Sequence, residues 1–512
     1  MKVSLVNPPL VSLRGDVLGS GVLFWPICIT SLAAVLREKG HDVGIVDGFG
    51  ENPKQFTLRG EKSVSQGLTV AQIIERLKAE NPQVIGVYAI NAPAHSTNLE
   101  IVRAAKKELP TAKVFVVENT SSVVSYALKE KYQDFLDAGA DAVMLGELEE
   151  NAFNLLEAFE GKKELKELKG IAFHGENGKS FIEPTQVVVQ NLDSLPFPAY
   201  DLLPLENYWS LGYSHGPNTE SKYLPLWTSR GCPYGCTFCV TPQITMRKWR
   251  PRNAKLVVDE IEHFVKKYNI QDFQVEDIDP TIRKERFVEI CKGIIDRRIS
   301  VSWKIVSGTK VETLDEETLS WMRKAGCNYV SISPETGSKK LITKMNKPFN
   351  YEHGLKMVKH MGKIGIKSQA CFVLGFPGED AEDKKATREY ITSLARNGVD
   401  EVTFFMICPL PGAMTQKTGM MKLPERFEEM HFTPVWREDY KELEKYRNSL
   451  YTHFFIVKAL FQPLKSMRGA WNVLTGHFET KMEMGARKLF ALRKFQEESL
   501  RKSAQGNQTA RA

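Results

Sequence analysis

The stretch Ser229-Arg-Gly-Cys-Pro-Tyr-Gly-Cys-Thr-Phe-Cys-Val240 sets three cysteines, Cys232, Cys236 and Cys239, in the spacing C-x-x-x-C-x-x-C. Three thiolates from one short run suit a four-iron cluster in which one iron keeps no protein ligand, whereas four cysteines would close the cluster and fit it for electron transfer. Gly231, Pro233 and Gly235 favour a tight loop that wraps the thiolates around one centre. Zinc is the competing reading. A structural zinc site pairs two C-x-x-C-like knuckles or adds closely spaced histidines, and neither lies nearby in the sequence. A loop with three merely structural cysteines is the third reading, and the clustering speaks against it.

At these residues the chain resembles the radical S-adenosylmethionine superfamily, whose signature is this same loop after the first strand of a partial (β/α) barrel. The resemblance implies a [4Fe-4S] cluster on Cys232, Cys236 and Cys239, with the amino and carboxylate groups of S-adenosylmethionine chelating the open iron. It further implies reductive cleavage of the sulfonium to a 5′-deoxyadenosyl radical that takes hydrogen from an unactivated carbon. The electron would come from a donor such as flavodoxin or ferredoxin. The apolar segment Tyr223-Leu-Pro-Leu-Trp-Thr-Ser229 is the expected first strand.

At 512 residues the chain is too long for one core of ordinary size. We expect an α/β protein in four parts: a doubly wound domain over 1–160, a linker over 161–221, a partial barrel over 222–420 and a helical extension over 421–512. No apolar run reaches the roughly eighteen residues of a membrane span, and Met1-Lys-Val-Ser-Leu-Val-Asn-Pro-Pro9 lacks the shape of a signal peptide. A cytoplasmic address is expected. Cys28, Cys291, Cys327, Cys371 and Cys408 are scattered in apolar surroundings, as reduced core residues are. The net charge of +7 is modest, and no arginine-rich arm interleaved with aromatics asks for a nucleic acid. A small-molecule substrate is expected instead.

In the first part, Val3-Ser-Leu-Val6, Asp42-Val-Gly-Ile-Val46, Val84-Ile-Gly-Val-Tyr88, Lys113-Val-Phe-Val-Val117 and Asp141-Ala-Val-Met-Leu145 read as buried parallel strands separated by amphipathic helices. Doubly wound sheets take ligands at the carboxyl ends of their strands. That rule gathers Asn7, Pro8, Asp47, the 91–97 loop, the 118–122 turn with Asn119, and Gly146 with Glu147 along one crevice. No G-x-G-x-x-G follows the first strand, which speaks against a dinucleotide. Asn7-Pro-Pro9, Asp47 and Gly146-Glu147-Leu-Glu149 resemble the cobalamin-binding domain that precedes many barrels of this superfamily. Gln190-Asn-Leu-Asp-Ser-Leu-Pro-Phe-Pro-Ala199 resembles that family's linker. Two departures stand out: there is no D-x-H-x-x-G to supply a lower axial histidine, and Val116-Val-Glu-Asn-Thr120 replaces a Gly-Gly-x-His turn.

Beyond the cysteines, strand and helix patterns alternate to give six barrel strands, with functional groups expected at their carboxyl ends. Glu276-Asp-Ile-Asp279 places carboxylates beside the cluster, where a methionine ammonium would be held; a solvated acidic turn is the alternative. By resemblance Asp277 is the family's acidic position and the candidate catalytic residue. Glu335 matches the acidic position after the fourth strand and would accept from ribose hydroxyls. Gly375 lies in the fifth-strand motif, whose glycines admit adenosine, and Pro409 in Cys408-Pro-Leu-Pro-Gly-Ala413 ends the sixth strand.

From about Phe427 the pattern is helical, aromatic and basic, with Phe454, Phe455, Leu460 and Phe461 on one stretch. A lid packed over the barrel is the leading reading, and a basic amphipathic helix in peripheral contact with a membrane is the other. Residues 502–512 read as disordered. Together the two cofactors imply C-methylation of an unactivated carbon in a tetrapyrrole, lipid or other small metabolite. The alternatives are an anaerobic oxidative cyclase of the magnesium-protoporphyrin monomethyl ester type and, from another class, a non-catalytic cobalamin or iron-sulfur sensor.

Overall fold

Short runs of valine and isoleucine, buried on both faces, build the first sheet. In the computed structural model, which describes residues 1–14, 16, 22–120, 125–175, 178–218, 220–486, 488, 489, 494, 497 and 498, they are β1 (Lys2–Asn7), β2 (Asp42–Asp47), β3 (Val84–Ala89), β4 (Lys113–Glu118) and β5 (Ala142–Met144). All five pair in parallel, as fully apolar strands joined by crossover helices must. The segment expected to be a linker contributes β6 (Ile171–His174) and β7 (Ser180–Glu183), which extend the sheet antiparallel. The order is β7-β6-β5-β4-β3-β1-β2. The order in which strands are added reverses between β1 and β3, so the crevice opens beyond Asn7 and Ala89.

The second sheet keeps chain order. Its strands β8 (Tyr223–Leu226), β9 (Asp272–Val275), β10 (Ser302–Thr309), β11 (Cys327–Glu335), β12 (Lys367–Leu374) and β13 (Glu401–Met406) are all parallel, which is the expected six-stranded partial barrel. Between the two sheets the connecting segment acts as a brace. Tyr208 donates to Asp47 Oδ2 at 2.7 Å, while Tyr200 and Trp209 donate to the carbonyls of Pro225 and Tyr223 on β8 at 2.9 and 2.8 Å.

Two further helices, α1 (Tyr440–Phe461) and α2 (Pro463–Thr475), follow the barrel. The lid reading is revised here. The inner face of α1 packs on the outside of helix Ala381–Arg396, through Arg388 to Ser449 at 2.9 Å and Tyr446 to the Lys384 carbonyl at 3.1 Å. Phe454 is buried, whereas Phe455, Leu460 and Phe461 are exposed. No described helix is long and apolar enough to cross a membrane. The expectation of disorder over 502–512 falls outside the described residues.

Candidate functional site

The cysteine loop leaves the barrel at Ser229–Arg230, which pairs antiparallel with Arg250–Pro251. Gly231 must turn there with φ +82°, and a Cβ would lie 2.0 Å from the Lys248 carbonyl oxygen, so only glycine fits. The loop is clamped from two sides. Thr237 N–H donates to the Met345 carbonyl at 3.0 Å and Asn346 Nδ2 to the Gly235 carbonyl at 2.8 Å, while Thr415 N–H donates to the Thr237 carbonyl at 2.9 Å. Cys232, Cys236 and Cys239 are free thiols. Burial pushes Cys232 up to about 12, Cys236 to about 11, and Cys239 upward as well. Thiols in this state must surrender protons to a metal before they can bind it.

Among the described residues, no group of three His, Cys, Asp or Glu stands close enough to hold one metal ion. A donor set of three thiols with no fourth protein ligand fits the larger four-iron cluster with one iron left open.

Lys347, which no local pattern in the sequence singled out, is buried beside the loop. Its ammonium pairs with Glu335 and donates to Ser333 Oγ at 2.6 Å. Burial opposes its charge, but Glu335 and the sulfurs of Cys236 and Cys232 outweigh burial and hold the ammonium above its ordinary range. Glu335 itself sits at φ +62°, a sparsely populated region for a residue with a Cβ, at a register shift between β11 and β12. Lys310 adds a second cation, 4.6 Å from the centroid of the Tyr234 ring and donating to the Pro348 carbonyl at 2.7 Å.

The acidic turn is buried, not solvated. Asp277 accepts from Thr228 N–H and Thr228 Oγ1 at 2.7 Å each and from Ser229 Oγ at 2.5 Å, so both its oxygens are spent holding the start of the cysteine loop. The free acceptors lie on either side. Glu276 takes His215 Nδ1 on Oε2 at 2.7 Å and leaves Oε1 buried without a partner. Asp279 accepts from Thr309 at 2.5 Å on Oδ1 and leaves Oδ2 buried and unpaired; burial pushes it up to about 6. His215 lay in the expected linker, where only the fold could bring it to Glu276.

Gly375, at φ +74°, faces the carboxyl-terminal segment: a Cβ would meet Leu443 at 2.6 Å, and its carbonyl accepts from Arg437 at 3.1 Å. Pro409 stands in the turn after β13.

In the crevice, Asp47 is bound by Asn7 Nδ2 and Gly50 N–H at 2.8 Å each and by Tyr208 at 2.7 Å. Asn119 Nδ2 donates to the Ile90 carbonyl at 2.6 Å. Gly146, at φ +90°, lies so close to Val187 that a Cβ would sit 2.0 Å from its carbonyl oxygen. Pro8 follows Asn7 in the turn after β1. These residues shape the crevice more than they offer free groups to it. Among the described residues, the buried polar atoms without a partner there include Asn7 Oδ1, Thr97 Oγ1, Asn98 Oδ1 and Ser125 Oγ. Acceptors and hydroxyls of this kind fit a ligand rimmed with amide donors. The imidazole of His95 is taken up by Tyr126 at 2.9 Å and Asp134 at 3.1 Å.

The crevice and the cysteine loop meet. Glu147 takes both Nη atoms of Arg250, at 2.5 and 2.8 Å, and Glu149 takes Arg230 at 2.7 Å. Ala127, just beyond Ser125, packs with Val240, the residue after Cys239, and with Ile244 one turn further on. The partners are arginines on one domain and carboxylates on the other. A search for local motifs had no means of joining them.

A six-stranded parallel barrel carries a three-thiol loop at the carboxyl end of its first strand. Residues 228–391 match the radical SAM superfamily. The chain is 28% identical over 415 residues to an uncharacterized methyltransferase of Pyrococcus horikoshii, covering 80% of this chain and 82% of the relative. It is 27% identical over 474 residues to the anaerobic magnesium-protoporphyrin IX monomethyl ester cyclase of Rubrivivax gelatinosus, covering 90% and 79%. The cobalamin-dependent S-adenosylmethionine radical enzyme OxsB with aqua-cobalamin bound superposes with a TM-score of 0.67 at 14% identity, over 98% of this chain and 80% of that one. With S-adenosylmethionine also bound the TM-score is 0.61 at 17% identity, and the chain spans 57% of that one. At these identities the likeness establishes the fold. The family implies a [4Fe-4S] cluster and S-adenosylmethionine.

Proposed function

We propose that the chain is a cobalamin-dependent radical S-adenosylmethionine enzyme that methylates an unactivated carbon of a small molecule. The observation that carries this reading is the packing of Ala127, at the mouth of the crevice, against Val240 beside Cys239. It sets a site suited to a methyl carrier next to a site suited to radical initiation. The relative named a methyltransferase supports it.

Cys232, Cys236 and Cys239 would hold the cluster, which when bound supplies one electron to the sulfonium. Lys347 and Lys310 offset negative charge around the thiolates. Glu276 Oε1 and Asp279 Oδ2 are the carboxylate oxygens left to meet the ligand's ammonium, while Asp277 acts through the loop it holds. Glu335, locked to Lys347, would accept from ribose hydroxyls on its remaining lone pairs. Asn7, Thr97 and Ser125 would accept from the corrin's amides.

The test incubates anaerobically reconstituted protein with hydroxocobalamin, reductant and methyl-labelled S-adenosylmethionine in an extract of the source cells. Methylation consumes two molecules of S-adenosylmethionine per turnover, one leaving as S-adenosylhomocysteine and the other as methionine plus 5′-deoxyadenosine. Label in a new product, with S-adenosylhomocysteine and 5′-deoxyadenosine formed in equal amount by the wild type and no 5′-deoxyadenosine formed by Cys236→Ala, is the expected result. The second reading, an oxidative cyclase, draws on the cyclase relative that matches across 90% of the chain. It gives 5′-deoxyadenosine without S-adenosylhomocysteine. Deoxyadenosine from the Cys236→Ala protein would sink both.

A further inference from the structure

We propose that the outer face of α1 and α2 docks on an anionic lipid surface. Folding leaves Phe455, Ile456, Leu460, Phe461, Leu464, Met467, Trp471 and Leu474 all more than half exposed, with Leu464 at 79%, Trp471 at 66% and Leu474 at 81%. Scattered exposed apolar residues need no explanation, but eight of them on two consecutive helices form a patch. On α2 the residues 464, 467, 471 and 474 recur at three- and four-residue steps and so make one continuous stripe. No described helix is long and apolar enough to cross a bilayer, so the face lies on the surface.

Charge chooses the occupant. Between Tyr446 and Thr475 the chain carries Arg447, Lys458, Lys465 and Arg468 and no aspartate or glutamate. Lys465 binds Asp400 at 3.0 Å and Arg468 pairs with Glu479, which fixes both cations along the border of the patch. The Arg396 guanidinium stacks on Phe461 at 4.8 Å, and Lys363 is exposed at the end of the neighbouring helix. An apolar face with tryptophan and phenylalanine, bordered by cations, matches the boundary between acyl chains and anionic headgroups. Two copies meeting stripe to stripe would bring like charges together with no acid between Tyr446 and Thr475 to answer them.

The test is flotation of the reconstituted full-length protein with two kinds of vesicle, pure phosphatidylcholine and an equimolar mixture with phosphatidylglycerol, alongside its oligomeric state by light scattering. The wild-type protein should float with the anionic vesicles, less so at high salt. The triple variant Leu464→Glu, Trp471→Glu, Leu474→Glu should bind them at least about tenfold more weakly while keeping its iron and its S-adenosylmethionine cleavage. All three side chains are exposed, so the fold tolerates the change. Absence of flotation, equal flotation of wild type and variant, equal binding to both vesicle types, or a wild-type dimer that the same substitutions dissolve would overturn the proposal.

Discussion

Arg250 holds both carboxylate oxygens of Glu147, at 2.5 and 2.8 Å, with both side chains buried at the junction of crevice and barrel. Glu147 also accepts from Val189 N–H at 2.7 Å. The pair joins the end of the first parallel sheet to the strand that closes the cysteine loop.

Removing one partner strands a buried charge, so Arg250→Ala and Glu147→Ala should each cost about 3–5 kcal/mol of stability. The double variant should cost less than the sum by more than about 1 kcal/mol, because the second substitution removes a charge already orphaned. Denaturant unfolding of the four proteins measures this coupling. Strict additivity would mean that the pair does not hold the junction.

Lys347 is a buried cation whose charge bears on the sulfurs of Cys232 and Cys236, and it is the sole ion-pair partner of Glu335 among the described residues. In Lys347→Met a negative cluster loses a neighbouring positive charge, so its midpoint potential should move to more negative values at unchanged iron content. Deoxyadenosine formation should fall at least about tenfold. A redox titration followed by electron paramagnetic resonance reads the first effect and product chromatography the second. An unmoved potential would remove Lys347 from the electrostatics of the site.

The two sheets were legible because fully buried parallel strands are written as uninterrupted valine and isoleucine runs, and the cysteine loop because its ligands are local. Lys347, Lys310 and His215 were not legible. Each acts across more than fifty residues of chain or through a turn without a motif, as when residues 345–347 return to the loop at Gly235 and Thr237. Asp277 shows the opposite failure. The motif located the acidic turn, but only the fold reveals that its oxygens are taken by Thr228 and Ser229 while Glu276 and Asp279 keep one each. The lid reading holds for residues 478–484, where Lys481 and Met482 bond Glu401 and Val306 of the barrel, and fails for α1 and α2 for a related reason. Periodicity marked an apolar face on α1, but α1 and α2 carry more apolar surface than the barrel covers.

Glu118 braces the crevice by accepting from the N–H groups of Leu128 and Gly146 at 2.7 and 2.6 Å, yet burial still pushes it up to about 7. Between its ordinary value near 4.5 and about 7 the unfolded chain gives up this proton while the folded one keeps it. Stability contributed by the protonated group is therefore full below that window and lost as pH rises through it, by at most about 3 kcal/mol. In Glu118→Gln the loss between about pH 5 and about pH 7.5 should shrink by that amount, as denaturant unfolding at the two values would show. An unchanged slope would place the titration elsewhere.

Gly231→Ala separates the loop's geometry from its ligands. At φ +82° an alanine is strained by about 1–3 kcal/mol, and its Cβ would also lie 2.0 Å from the Lys248 carbonyl, so the Ser229–Arg230 and Arg250–Pro251 pairing must shift. Gly212 is the control: its φ is +68°, and a Cβ there would meet nothing within 4 Å. Both variants pay the backbone strain, but only the first displaces the strand that aims Cys232. Iron content after anaerobic reconstitution should fall by at least about half in Gly231→Ala, because one ligand is turned away from the other two. It should stay at the wild-type level in Gly212→Ala. Equal iron in the two would show that the loop tolerates the shift, and that the three thiols find the cluster without help from the strand before them.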